Sequence, residues 1–103
     1  MKLLIKNCVL ILTITFFISC GNPTDVVESG TYTGKIIEVE ADKSEIYVET
    51  DDGKILELYF IEETKLTQND EVVPFETLKE DQKVEVEVKK VGKRLDPVSV
   101  KIQ

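Results

Sequence analysis

Glu45–Phe60 reads EIYVETDDGKILELYF. Ile46 and Val48 alternate with Glu45, Tyr47 and Glu49, and Leu56, Leu58 and Phe60 alternate with Glu57 and Tyr59. Period-two alternation marks strands with one face turned to a core, so strands are expected over Ser44–Thr50 and Lys54–Ile61. Setting Val48 opposite Leu56 and Ile46 opposite Leu58 keeps all four apolar residues on one face. It leaves Asp51, Asp52 and Gly53 as a three-residue loop, with glycine at the last position, where the backbone turns left-handed. The same register sets Tyr47 against Glu57 and Tyr59 against Glu45 on the outer face.

Working outward, Thr31–Glu40 forms a first strand in which Tyr32 and Ile36 share one parity and Ile37 and Val39 the other. Such a switch predicts a bulge near Ile36 and Ile37, with Gly34 easing a strong bend. Beyond the hairpin, Glu62–Pro74 is less regular. It offers a short strand at Lys65–Thr67, a turn at Asn69 and Asp70, and one helical turn opened by Pro74, whose Phe75 and Leu78 act as a plug. Lys83–Val91 alternates valine with charge, and Pro97–Ile102 alternates Val98, Val100 and Ile102 with Ser99 and Lys101. A loop of Gly92, Lys93 and Arg94 would pair Val88 with Val98, Val86 with Val100 and Val84 with Ile102, and set Glu85 across from Lys101.

Three strands, a short helical turn and two more strands is the order of the OB-fold, a five-stranded Greek-key barrel whose first strand is long and bent. A mainly β fold of this kind is expected over residues 30–103. The strand around Gly34, the segment Phe60–Leu66, and Phe75–Leu78 followed by the valine strand from Val84 resemble the small OB-like domains of exported bacterial proteins and lipoproteins. Those domains commonly carry a glycine before the valine strand; Glu80, Asp81 and Gln82 stand there instead.

The amino-terminal residues follow another logic. Lys2 and Lys6 supply positive charge, an apolar run extends from Cys8 to Ile18, and Ser19 and Cys20 close it. This is the layout of an export signal, and the run is short of the ~20 apolar residues that a spanning helix needs. Phe17–Cys20 resembles the lipobox of bacterial lipoproteins, although Phe17 stands where a small aliphatic residue is usual. The resemblance implies removal of residues 1–19 and a diacylglyceryl group on the Cys20 thiol, so that residues 20–29 become a lipidated tether leading to the barrel; Gly21–Ser29, with Gly, Pro, Asn and Asp and no convincing period, reads as a flexible coil. A membrane-spanning helix and a Cys8–Cys20 disulfide are the alternatives. Gly21 rather than aspartate follows the cysteine, so the expected location is a lipid-anchored one, at an outer membrane facing the periplasm where the cell has two membranes.

Composition narrows the function. The chain carries 13 basic and 20 acidic residues, and loss of the signal with its two lysines leaves 11 against 20, a net charge of −9. Nucleic acid, which is held by lysine and arginine clusters, is not an expected partner. With no histidine, no imidazole exists for proton transfer near neutrality or for activating Ser29, Ser44 or Ser99. An enzyme is not expected, nor a cofactor. The expected function is a binding or assembly module at the cell envelope. Tyr47 and Tyr59, with Glu45 and Glu57 beside them, form the candidate ligand face for an envelope protein or a neutral or cationic small ligand. Ordinary cross-strand packing is the other reading of the two tyrosines. A weak calcium site using Glu49, Asp51 and Asp52 at the hairpin is the alternative function, although their spacing is not that of an EF-hand loop.

Overall fold

A computed structural model describes Thr24–Gln103. The signal segment, Cys20 and the start of the tether lie outside the described residues. Seven strands follow in order: β1 (Gly30–Glu40), β2 (Glu45–Thr50), β3 (Ile55–Tyr59), β4 (Lys65–Gln68), β5 (Glu71–Val72), β6 (Lys83–Val91) and β7 (Arg94–Ile102). Short 3-10 turns occupy Ala41–Lys43 and Phe75–Thr77. Two strands more than the five expected arise from the irregular stretch, where β4 and β5 form a small hairpin around Asn69 and Asp70.

The sheet runs β3-β2-β1-β6-β7-β4-β5. All neighbours are antiparallel except β4 with β7, which pair in parallel from Lys65 opposite Ser99 to Gln68 opposite Ile102. Packing of β3 against β7 brings the two ends of the main sheet together. The result is a mainly β, OB-like barrel, in which β4 continues the course of β3 and closes it onto β7.

Local chemistry explains the hairpins. In β2–β3 every expected pair is present: Val48 with Leu56, Ile46 with Leu58, Tyr47 with Glu57 and Glu45 with Tyr59. The loop is closed by the Gly53 amide donating to the Thr50 carbonyl at 2.9 Å, with Gly53 at φ +88°. Nothing lies within 4 Å of a methyl placed on Gly53. Replacing Gly53 with alanine is therefore expected to cost about 1 kcal/mol, from backbone conformation alone, read as a lower urea midpoint with an unchanged slope.

The bulge in β1 falls where parity switches. Ile36 opposes Val48 and Glu38 opposes Tyr47, so Ile37 is the extra residue. The switch turns Glu38 and Glu40 to the outer face while Val39 packs against the core. The core itself joins Ile36, Ile46, Val48, Leu56, Leu58, Val84, Val86 and Val100, all fully buried. Phe75 packs at its rim, edge-on to Phe60 with ring centroids 5.1 Å apart, and Leu78 is buried beside it.

Two expectations need correction. Val88 pairs with Pro97 rather than Val98, and Val98 is 43% exposed. Gly92 and Lys93 form a two-residue loop that opposes Val91 to Arg94, whereas the core requires Val86 opposite Val100. These registers differ by one residue, and a bulge at Val98 absorbs the difference. Pro97, which has no amide hydrogen to offer a ladder, then turns inward and is buried. The second correction concerns the tether, whose last residues are docked rather than free. Asp25 brackets Ile55, its amide donating to the Ile55 carbonyl at 2.8 Å and its carboxylate accepting from the Ile55 amide at 3.0 Å. Val27 enters the core, and the Ser29 hydroxyl accepts from the Lys90 amide at 2.8 Å.

Candidate functional site

Two rows of side chains cross the outer face of β1, β2 and β3. Pairing places Glu38, Tyr47 and Glu57 in one row and Glu40, Glu45 and Tyr59 in the next. Four carboxyls and two phenols thus occupy one patch, and Lys43 in the β1–β2 turn is the base that acts on Glu38 and Glu45. Cross-strand neighbours on such a face lie about 5 Å apart and diagonal ones about 7–8 Å, so Tyr47 and Tyr59 flank the pair Glu45 and Glu57. The four expected ligand residues are together. Glu38 and Glu40 extend them and were missed, although the parity switch at Ile36 and Ile37 was the signal that aims them outward.

Burial of Glu45 departs from the sequence reading. An outer-face position between charged neighbours should be wet, yet Glu45 is 0% exposed, and neither carboxylate oxygen has a hydrogen-bond partner among the described residues. Enclosure pushes its pKa up from the ordinary carboxylate range, and the adjacent Glu57 carboxyl adds to the effect. The Tyr59 hydroxyl and Lys43 act the other way. Tyr47 donates to Glu57 Oε2 at 3.4 Å, and desolvation with the neighbouring acids pushes its pKa up to about 12. Tyr59 rises as well, chiefly from the charge of Glu45. Glu38 is raised mainly through Glu40 beside it. Both phenols are therefore neutral across the physiological range.

The patch opens at one side into a cleft of about 290 Å³. It is lined by Asp25, Glu57 and Tyr59 together with Lys93, Arg94 and Leu95. Arg94 is already engaged, its Nε donating to Asp96 Oδ1 at 2.7 Å.

The residues expected to hold calcium are differently disposed. Asp51 accepts from the Thr33 hydroxyl at 2.6 Å, Asp52 accepts from Thr50, and Glu49 is exposed on β2. The Thr50 hydroxyl holds the Asp52 carboxyl below its usual range. Among the described residues no group of three or more histidine, cysteine, aspartate and glutamate side chains is placed to hold a metal ion.

Fold and face together define a small OB-like barrel with an acidic and aromatic outer patch. Solved structures share the barrel. A tryptophan-to-alanine variant of CusF from Escherichia coli with Cu(II) aligns at a TM-score of 0.59 and 13% identity, over 74% of this chain and 92% of that one. The same Escherichia coli protein with Ag(I) gives 0.59 and 13% over the same shares. A further Ag(I) structure of CusF gives 0.57 and 14%, over 71% and 95%. At such identity the likeness is one of fold. No protein-family model matches the sequence, and no curated protein does.

Proposed function

We propose that this chain is a membrane-anchored, non-enzymatic binding module, tethered through lipid on Cys20 and presenting the outer face of β1–β3 to its ligand. The observation that carries the binding role is Glu45, a buried carboxylate without hydrogen-bond partners on a patch that holds three further acids. A charge in that position costs several kcal/mol unless something pairs with it, and stability alone gives no reason to keep it. The absence of histidine from the sequence supports the non-enzymatic reading.

The structural neighbours were solved with copper and silver, but such a cargo does not fit here. Soft metals select thiolate and thioether, and copper also imidazole. This chain has no histidine, a single methionine at position 1, and cysteines only at 8 and 20. The barrel is therefore read as holding a different cargo in the same architecture.

Anchoring rests on the sequence Phe17–Cys20 and is tested at that cysteine. With two or more acyl chains, at ~0.8 kcal/mol per buried methylene, attachment is effectively stable. Wild-type protein is expected almost entirely in the detergent phase, with a mature amino terminus whose mass carries the lipid on Cys20. Cys20→Ala should shift the protein to the aqueous phase once the signal is removed. An uncut amino terminus, or an unmodified Cys20 thiol in the wild type, would overturn the assignment.

A further inference from the structure

We infer that the outer patch of β1–β3 is a site for an organic ammonium group, seated between Glu45, Glu57 and Tyr59, with the body of the ligand in the adjoining cleft. This deepens the binding-module reading and rests on it. Three features select an ammonium over other ligands.

The first is charge. Glu38, Glu40, Glu45 and Glu57 lie on two adjacent rows, with Lys43 in the β1–β2 turn and Lys93 and Arg94 only in the adjoining cleft among the described residues, so the patch itself disfavours an anionic group. The second is the enclosed carboxylate. Glu45 is fully buried with both oxygens unpartnered, and the polar groups that act on it most directly are Glu57 and Tyr59, so it faces into the patch. Such a group needs both a counter-charge and hydrogen-bond donors, and an ammonium brings both at once. The third is the aromatic component. A neutral phenol is a poor ligand for a metal ion but a good face for an organic cation, worth ~0.5–2 kcal/mol by cation–π attraction. No metal-holding group of acids exists among the described residues, so a hard cation has no ready cage here.

Access follows from exposure. Tyr59 is the residue directly across from Glu45 and is 43% exposed. Exposed side chains change rotamer on the ps–ns timescale, so Tyr59 can move aside for a group approaching Glu45. Glu57 and Tyr59 also line the 290 Å³ cleft, so a cation held at Glu45 would have room for its attached chain. Lys93 also lines the cleft, which fits a ligand whose other end is neutral or anionic.

The test is calorimetric titration of the full chain in detergent with 5-amino-1-pentanol and with pentylamine, against 1,5-pentanediol as the uncharged counterpart and calcium chloride as the hard cation. Saturable binding is expected for at least one amine, with tenfold or greater weakening in Tyr59→Ala, in Glu57→Gln and in Glu45→Gln. Thermal melts should show the Glu45→Gln protein folded and no less stable than wild type, which separates loss of the site from loss of the fold. Absence of saturable binding by both amines overturns the inference. So does equal binding of pentanediol, or unchanged affinity in Glu45→Gln. Calcium binding that displaces the amines would also overturn it, in favour of a hard-cation site. Each of these failures concerns the ligand, whereas the Cys20 experiment tests the anchored module without reference to any ligand.

Discussion

Replacing Gly34 with alanine is expected to cost about 3 kcal/mol or more of folding stability, at the upper end of what overpacking a core usually costs. For a domain of this size that lowers the melting temperature by on the order of 15 °C. Gly34 sits in the middle of β1, paired with Thr50 of β2 on one side and Val84 of β6 on the other. A methyl there would stand 2.3 Å from the Glu49 carbonyl oxygen and 2.9 Å from both the Glu49 carbonyl carbon and the Thr50 Cα. All three obstacles are backbone atoms of the neighbouring strand, which cannot rotate away as a side chain tip would. Relief requires β1 and β2 to separate at the point where the barrel bends, and both ladders would be disturbed. Urea unfolding of wild type, Gly34→Ala and Gly53→Ala measures the contrast. Gly53→Ala should lose about a third as much, since its methyl meets nothing. A cost below 1 kcal/mol at Gly34 would show that β2 yields more readily than its geometry indicates.

Glu45→Gln should act in the opposite direction at neutral pH, stabilising the fold by about 1–3 kcal/mol, the scale of the penalty for a buried group left unpartnered. The sign follows from proton linkage. Its folded-state pKa is raised above the ordinary carboxylate range, so the folded chain binds a proton more tightly than the unfolded one. The penalty is absent below the unfolded pKa, grows as pH rises from about there to the folded value, and is complete above it. Wild-type stability should therefore fall as pH climbs out of the acid range, and Glu45→Gln should flatten that slope. The groups facing Glu45 are Glu40 on β1, Tyr47 on its own strand, Glu57 and Tyr59 on β3, and Lys43 in the turn. Glu57 and Lys43 modify the profile in opposite senses, so Glu57→Gln should narrow the same window from the other partner. Melting curves across that range measure both effects. A flat wild-type profile would mean that Glu45 finds a compensating partner after all. A stabilising substitution at a candidate binding residue is also what a site held at a cost to the fold predicts.

Much of the architecture was legible because hairpin registers are set locally. The β2–β3 pairing follows from the parity of Ile46, Val48, Leu56 and Leu58 and from a loop that needs glycine at its end, and every pair is present. The β1 bulge followed from two adjacent isoleucines that cannot both face inward on a regular strand. At the β6–β7 hairpin two local rules conflict, since a two-residue turn and the valine face ask for registers one residue apart. Alternation alone gave the core register at Val86 and Val100 but not the turn, and so placed Val98 where Pro97 lies. Tyr47, Tyr59, Glu45 and Glu57 were legible as a face for the same reason as the core, because outward parity is as periodic as inward parity.

Sequence by itself determined which side chains share a face, because a period of two is written into neighbouring residues. It also supplied the proposal that Cys20 is an attachment point, which rests on residues 17–20 alone. Only the tertiary structure decided the parallel closure of β4 on β7, the docking of Asp25 and Val27 from the tether, and the enclosure of Glu45. These depend on segments that meet only when the barrel closes, and solvent exposure is a property of what lies above a residue rather than of the residues beside it in the chain. Parity aims Glu45 outward, and the surrounding side chains of the folded barrel keep water from reaching it.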